Sequence, residues 1–562
     1  LQLPLAKFKE YMYKRHLLLL YTLIVCTLPS FAQRQPHTAQ PNNGVERPKL
    51  IIGLVVDQMR WDYLYRYYDT YGNGGFKRLL QGYSFDNTSI PYTPAVTAAG
   101  HTCIYTGAVP AIHGIVGNDW VERTDGSYMY CTQDKSVQTV GSNSPLGQMS
   151  PKNLLATTIG DELRLATNFK SRVYGIALKD RGGILAAGRS ANAAYWFDDS
   201  TGNWITSTWY MKELPAWVSN YNGAGKTDSM MRNDWNLLYD PSVYDQSTAD
   251  EMPFEKTLLY ETRRTFPHSY KHMIGKGYYD FRVSPFGNTM TFDFASQLIE
   301  NEKLGATGQA DMLCISLSAT DYISHRFGPN SLETQDTYLR LDKDIAHFLD
   351  YLDKKVGKNN YLLFLSADHG APNVPAFMQE HKMTGGHLNA YYGLRDSLNK
   401  LAFEKFGVNN AVNRIFEYQV YLDMKQIGAA KIDVGSLKKA FENYLNARPE
   451  VLIAFDYENF DQLILPARFK EMLARGYHYK RSGDMQFILK PQYTDVGSQG
   501  TEHGTIYNYD THIPMVWYGW KIAHGTTSRE TYMTDIAPTI AAMLHIQTPN
   551  GSVGNVLPEI VK

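Results

Sequence analysis

Leu50-Ile51-Ile52-Gly53-Leu54-Val55-Val56-Asp57 is the stretch that decides the fold. The run is apolar throughout, rich in branched side chains, and shows no polar alternation. Such a run reads as a strand buried on both faces, as in a parallel sheet covered by helices. It ends on a carboxylate, and open α/β sheets bind ligands at the carboxyl ends of their strands.

Similar runs follow at Arg172–Leu178, Asp311–Leu317, Tyr361–Leu365 and Ile513–Tyr518. Helical patterns lie between or after them, at Thr97–Thr106 with Gly107 as a stop, Thr291–Lys303, Thr337–Leu352 and Thr534–Leu544. The alternation predicts an α/β fold with a mostly parallel sheet sandwiched by helices. Two long segments interrupt it, about 183–287 and about 371–497. The first holds a hairpin signature: Tyr195–Asp198, the turn Ser200-Thr201-Gly202-Asn203, then Trp204–Tyr210. The second includes a helical stretch near Ser436–Leu445. Both are expected to be cap insertions on one α/β domain spanning 47–562. A separate C-terminal domain is the alternative.

A chain of 562 residues with 43% apolar and 20% charged residues has room for such a domain and its insertions. A net charge of -1 gives no footprint for nucleic acid or an anionic membrane surface. Lys14 and Arg15, the apolar run His16–Thr27 and the ending Pro29-Ser30-Phe31-Ala32 read as a signal peptide over residues 1–32, cut after Ala32. Met12 is a candidate start, which would make residues 1–11 an upstream extension. Residues 33–46 read as a polar disordered leader. The expectation is an exported, periplasmic, monomeric protein with no membrane insertion. Cys103, Cys131 and Cys314 remain after cleavage. An odd number leaves at least one thiol free. Cys314 is expected as a buried thiol, and whether Cys103 and Cys131 pair stays open.

The chemistry gathers at strand ends. Asp57 closes the first strand, Asp321 and His325 follow the third, and Asp368 and His369 follow the fourth. His503 sits in Gly-Thr-Glu-His-Gly-Thr, and the segment Pro94–Thr102 supplies hydroxyls, Thr97 among them. Three carboxylates with three imidazoles make the ligand count of a dinuclear zinc centre, the equipment of a metal-dependent hydrolase. Singly, an aspartate at a strand end is most often a turn or cap. His101, His113, His381, His387 and His512 read as structural histidines. Spacing alone leaves Thr93 and Thr102 as rivals to Thr97.

The motifs GLVVDQMRWDYL, PAVTAAGHTCIYTG, PAIHGIVGN, KDRGG, SATDYISHRFGP, SADHG and GTEHGT resemble those of the alkaline phosphatase superfamily. The likeness is to the PafA-type exported phosphomonoesterases of Bacteroidetes and covers most of the chain after residue 46. It implies two Zn2+ per chain. Asp321, His325 and His503 would bind one, Asp57, Asp368 and His369 the other, with Thr97 between them as nucleophile and metal ligand. A phosphothreonine intermediate follows. Two such ions about 4 Å apart can clamp the attacking and leaving oxygens, and coordination drives a weakly nucleophilic hydroxyl towards its alkoxide. Thr97 opens a helix, where free N–H groups favour an anion.

The resemblance also assigns Asn118, Lys179 and Arg181 to the phosphoryl oxygens. Lys179 and Arg181 are expected two apart on an extended segment and hence on one face. Positive contacts on non-bridging oxygens suit the dianion of a small-molecule phosphate monoester. No magnesium site is expected, because Lys179 takes that region. Cys103 is not followed by the sulfatase signature. The rival activity is a nucleotide pyrophosphatase/phosphodiesterase of the same superfamily. A rival of another class is a non-catalytic exported binding protein that keeps its metal for stability.

Overall fold

The computed structural model describes residues 45–561, apart from 260, 389–392 and 496. The expected signal peptide and nearly all of the expected leader lie outside them. The strands of the main sheet are β1 Leu50–Val56, β2 Tyr83–Ser89, β3 Thr139–Val140, β4 Val173–Ala177, β5 Ala193–Asp198, β6 Asn203–Ser207, β7 Asp311–Leu317, β8 Tyr361–Ser366, β9 His512–Gly519, β10 Gly525–Thr527 and β11 Thr531–Tyr532. Their order is β10-β2-β9-β8-β1-β7-β4-β5-β6-β3, with β11 also on β2. The central five, β8-β1-β7-β4-β5, are parallel. The flanks turn antiparallel, with β9 on β8 and β6 on β5.

Every residue of β1, β4, β5, β7 and β8 is buried, which is why these segments read as unbroken apolar runs. Helices α1 Thr97–Thr106 and α2 Asp180–Ala187 pack on each other, and Ile536–Leu544 packs on α1. A second group, Phe286–Asn301, α3 Ala319–Phe327 and Leu332–Leu352, packs together elsewhere on the sheet. From Arg47 onward the described residues cluster as one compact unit.

The segment 371–497 carries its own small antiparallel sheet, in the order Val412–Phe416, Gln419–Leu422, Met485–Leu489, Val451–Asp456. Val420, Leu437, Phe441 and Phe487 are fully buried in its separate core. The segment 183–287 differs from expectation. Its first part is no cap: the hairpin β5–β6 extends the main sheet beside β4. The hairpin was legible from its turn, but its pairing partner lies 19 residues upstream in register, from Tyr174↔Ala193 to Ala177↔Trp196, and no local signal names it.

The three cysteines of the described chain are free and buried. Cys103 and Cys131 do not pair. The Cys103 thiol donates to the Ala108 carbonyl at 2.7 Å and lies 3.5 Å from His113 Nε2.

Candidate active site

Four loops at the carboxyl ends of β1, β7, β8 and β4 meet the N-terminus of α1. Asp57 follows β1, Asp321 and His325 stand one turn apart on α3 after β7, and Asp368 and His369 follow β8. His503 arrives on the loop before β9. Two ligand groups result, Asp321/His325/His503 and Asp57/Asp368/His369, each with its donor atoms within 4.8 Å of one another. His369 Nε2 is 3.6 Å from Asp57 Oδ1 and 4.0 Å from Asp321 Oδ1, so the groups adjoin. Thr97, first residue of α1, places Oγ1 3.4 Å from His369 Nε2.

The imidazoles are held in one tautomer. Nδ1 of His325 faces the Thr501 carbonyl at 2.9 Å, Nδ1 of His503 the Ala95 carbonyl at 2.8 Å, and Nδ1 of His369 the Gly370 carbonyl at 3.0 Å. A carbonyl only accepts, so each Nδ1 carries a proton and each Nε2 points into its group, free to ligate once it is deprotonated. Asp57 Oδ1 is buried with no hydrogen-bond donor, while Asp57 Oδ2 lies 2.9 Å from Lys179 Nζ and Asp368 Oδ2 lies 3.2 Å from His101 Nδ1. Buried carboxylates without donors are costly unless a cation meets them. The residues therefore fit a pair of divalent cations. The oxygen and imidazole donors suit zinc without demanding it.

The charges are strongly coupled. Burial, with Asp368 beside it, pushes the Asp57 carboxyl well above the usual range. Burial also opposes ionisation of Asp321, but His325 and Lys179 hold its carboxyl well below that range. Burial likewise opposes charge on Lys179, yet Asp321 and Asp57 raise its ammonium above the ordinary lysine value. Burial brings His369 down to about 3, which keeps it a neutral ligand.

Lys179 Nζ lies 2.9 Å from Asp57 Oδ2 and 2.6 Å from Asp321 Oδ2, and donates to Thr97 Oγ1 at 3.3 Å. Lys179 and Arg181 do not share a strand face, contrary to expectation. β4 stops at Ala177, Lys179 is the last extended residue, and Arg181 is already in the first turn of α2. Both nonetheless line one cavity of about 250 Å3, with Thr97, Asn118, His325 and His503. Arg181 is steadied by Tyr130, whose hydroxyl accepts from it at 3.2 Å. Asn118 Oδ1 accepts the Ala98 N–H at 3.1 Å, which leaves its amide NH2 as the remaining donor.

The rival threonines stand apart. Thr102 bonds back to the Ala98 carbonyl at 2.6 Å, and Thr93 lies outside α1. His101 is satisfied in the core by the Thr97 carbonyl and the Ser316 hydroxyl. His113 accepts the Ile115 N–H, His381 meets the Phe377 carbonyl and His512 the Asp86 carbonyl. His387 is exposed.

Sequence reasoning missed Gln58. Its side chain donates to Asp321 Oδ1 at 2.9 Å and its backbone N–H to Asp368 Oδ1 at 3.1 Å, tying one carboxylate of each group together. Its φ of 63° is a left-handed conformation that a glutamine rarely adopts, the kind of strain that collects at functional sites. Gly100 is a second. A Cβ there would come within 2.3 Å of the Asp368 carbonyl oxygen, so the bare residue lets α1 carry Thr97 against the Asp368 loop.

A central parallel sheet with adjoining carboxylate–histidine groups at its strand ends defines a hydrolase of the alkaline phosphatase superfamily. The chain belongs to the type I phosphodiesterase/nucleotide pyrophosphatase family, whose model matches residues 51–516. It is 48% identical to the alkaline phosphatase PhoV of Synechococcus elongatus, over 94% of this chain and 96% of that one. It is 46% identical to the alkaline phosphatase PafA of Elizabethkingia meningoseptica, over 93% and 96%. A protein of Myroides odoratus named as a calcium-transporting ATPase is 50% identical over 92% and 95%. The crystal structure of wild-type PafA superimposes with a TM-score of 0.90 at 45% identity, covering 92% of this chain and all of that one.

Proposed function

We propose that the chain is an alkaline phosphatase that hydrolyses small-molecule phosphate monoesters, with Thr97 as its nucleophile. The observation that carries this reading is the placement of Thr97 Oγ1 at the N-terminus of α1, 3.4 Å from His369 and 3.3 Å from Lys179. Asp321, His325 and His503 would hold one zinc and Asp57, Asp368 and His369 the other. Bound there, the ions would supply Lewis-acid stabilisation to the attacking and leaving oxygens of an in-line displacement.

The chain's own residues do the rest. Thr97 Oγ attacks phosphorus, the ester P–O bond breaks, and the alcohol leaves with its oxygen. Water then cleaves the phosphothreonine and releases phosphate. Lys179 and Arg181 offer cationic donors to the non-bridging oxygens, and the Asn118 amide offers a neutral one. A diester has one of those oxygens blocked by a second ester group, so these donors favour the dianionic monoester. The signal-peptide pattern read over residues 1–32 supports an exported, periplasmic enzyme. Among the described residues no helix is long and apolar enough to cross a membrane.

The test is side-by-side hydrolysis of an aryl phosphate, an aryl phosphodiester and an aryl sulfate by zinc-loaded protein. The monoester is expected to be the preferred substrate. Replacing Lys179 and Arg181 together should depress monoester turnover and leave diester turnover near its original level. Preference for the diester in the unmodified protein would instead make it a phosphodiesterase.

A further inference from the structure

The cap reaches the phosphate pocket through a strained hairpin tip. Strands Val412–Phe416 and Gln419–Leu422 pair with Phe416 opposite Gln419, so Glu417 and Tyr418 alone make the turn. Their φ angles are 47° and 66°. Two-residue turns of this kind demand left-handed backbone and normally use Asn-Gly or Asp-Gly. Residues without that tolerance are strained there. Both residues line the same cavity as Thr97 and Arg181.

Glu417 makes a specific contact at that wall. Its Oε1 accepts the backbone N–H of Asn118 at 2.8 Å. Its Oε2 is buried against Gly117, where an added Cβ would sit only 1.8 Å from it and 2.7 Å from Cδ. The carboxyl is therefore seated on the one residue type that leaves it room. Asn118 in turn uses its side-chain oxygen to hold the Ala98 N–H, next to Thr97. A chain of contacts runs from the cap through Glu417 and Asn118 to the start of α1. Burial, with Asp119 nearby, pushes the Glu417 carboxyl well above the usual range. Charged or neutral, its Oε1 accepts, and so would the amide oxygen of a glutamine.

We propose that Glu417 is a positioning residue: by gripping the Asn118 backbone from the cap, it fixes the direction in which the Asn118 amide meets the phosphoryl group. The inference rests on the reading that Asn118 binds a phosphoryl oxygen. It makes the cap part of phosphate recognition, and it gives the strained turn a purpose.

The test is a double-mutant cycle on monoester kcat/KM with zinc-loaded protein. Asn118→Ala should lower it about 10- to 100-fold, the cost of one transition-state hydrogen bond in a buried site. Glu417→Ala should lower it about 5- to 50-fold, and the pair should lie within about 2-fold of Asn118→Ala alone, since coupled residues do not add. Glu417→Gln should stay within about 3-fold of the unmodified protein. Gly117→Ala should reproduce the loss, and Glu417→Ala on that background should add nothing further. A merely structural role for Glu417 would lower thermal stability and multiply with Asn118→Ala. Losses that multiply, or full activity in Glu417→Ala, overturn the proposal. If Glu417→Ala does not fold, Gly117→Ala with full activity overturns it equally. An Asn118→Ala variant with undiminished turnover would instead refute the underlying reading of Asn118, and this inference with it.

Discussion

The Lys179 ammonium donates to the Thr97 hydroxyl at 3.3 Å while pairing with Asp57 and Asp321. A cation buried between two carboxylates is immobile, so it can be aimed at substrate without reorganising. Lys179→Met keeps most of the volume and removes the charge. It is expected to lower monoester kcat/KM about 100- to 1,000-fold, the range for a preorganised donor in a water-poor site. Steady-state kinetics on an aryl phosphate and its diester check this, and equal losses on both would contradict the assignment.

Gln58 bridges the two ligand groups through Asp321 and Asp368. Partners that orient metal ligands typically account for about 10- to 100-fold in metal affinity or activity. Gln58→Ala should therefore release zinc to a competing chelator at lower chelator concentration than the unmodified protein. Elemental analysis after graded dialysis measures it, and unchanged retention would remove Gln58 from the site.

Gly100→Ala sets two effects against each other. Alanine favours a helix over glycine by about 1 kcal/mol. The added methyl would meet the Asp368 carbonyl at 2.3 Å, and overpacking of that kind costs about 1–3 kcal/mol. Overpacking wins, so the melting temperature should fall and turnover with it, because α1 carries Thr97 away from the Asp368 loop. A more stable, fully active Gly100→Ala protein would refute the close approach.

His268 lies buried between Glu261 at 3.0 Å and Glu333 at 3.1 Å. Burial opposes its charge, but the two carboxylates raise it to about 9. The folded protein then holds this proton more tightly than the unfolded chain, whose histidines titrate near 6.5. Its contribution is complete below about pH 6.5 and is lost as pH rises through about 9. The size is on the order of 3 kcal/mol. Denaturant melts at pH 6.5 and 9 should show the decline, and His268→Gln should flatten it.

The strand ends of this protein were legible because their function and burial leave a mark on neighbouring residues. Leu50–Val56, buried on both faces, cannot be anything but apolar, and it delivers Asp57 at its end. Asp321 and His325 meet because a helix brings residues four apart together. Arg181 was misplaced by local geometry: strand β4 ends at Ala177, two residues before Lys179, and no residue type marks that stop. Gln58 was invisible because a polar residue after a strand is ordinary, and its left-handed backbone is a tertiary outcome. Glu417 lies 299 residues from Asn118, on a hairpin whose sequence lacks the Gly or Asn its turn favours. The Cys103 thiol is instead occupied within its own segment, by Ala108 and His113 five and ten residues on, which a count of cysteines does not reveal.

The central claim is that the phosphoryl group passes through Thr97. Zinc-loaded enzyme is acid-quenched during monoester turnover, digested, and its peptides are sequenced by mass spectrometry. The account predicts one phosphoryl group on Thr97 itself, absent from Thr97→Ala, whose turnover collapses. A phosphoryl group on Thr93 or Thr102, or undiminished turnover in Thr97→Ala, would contradict it.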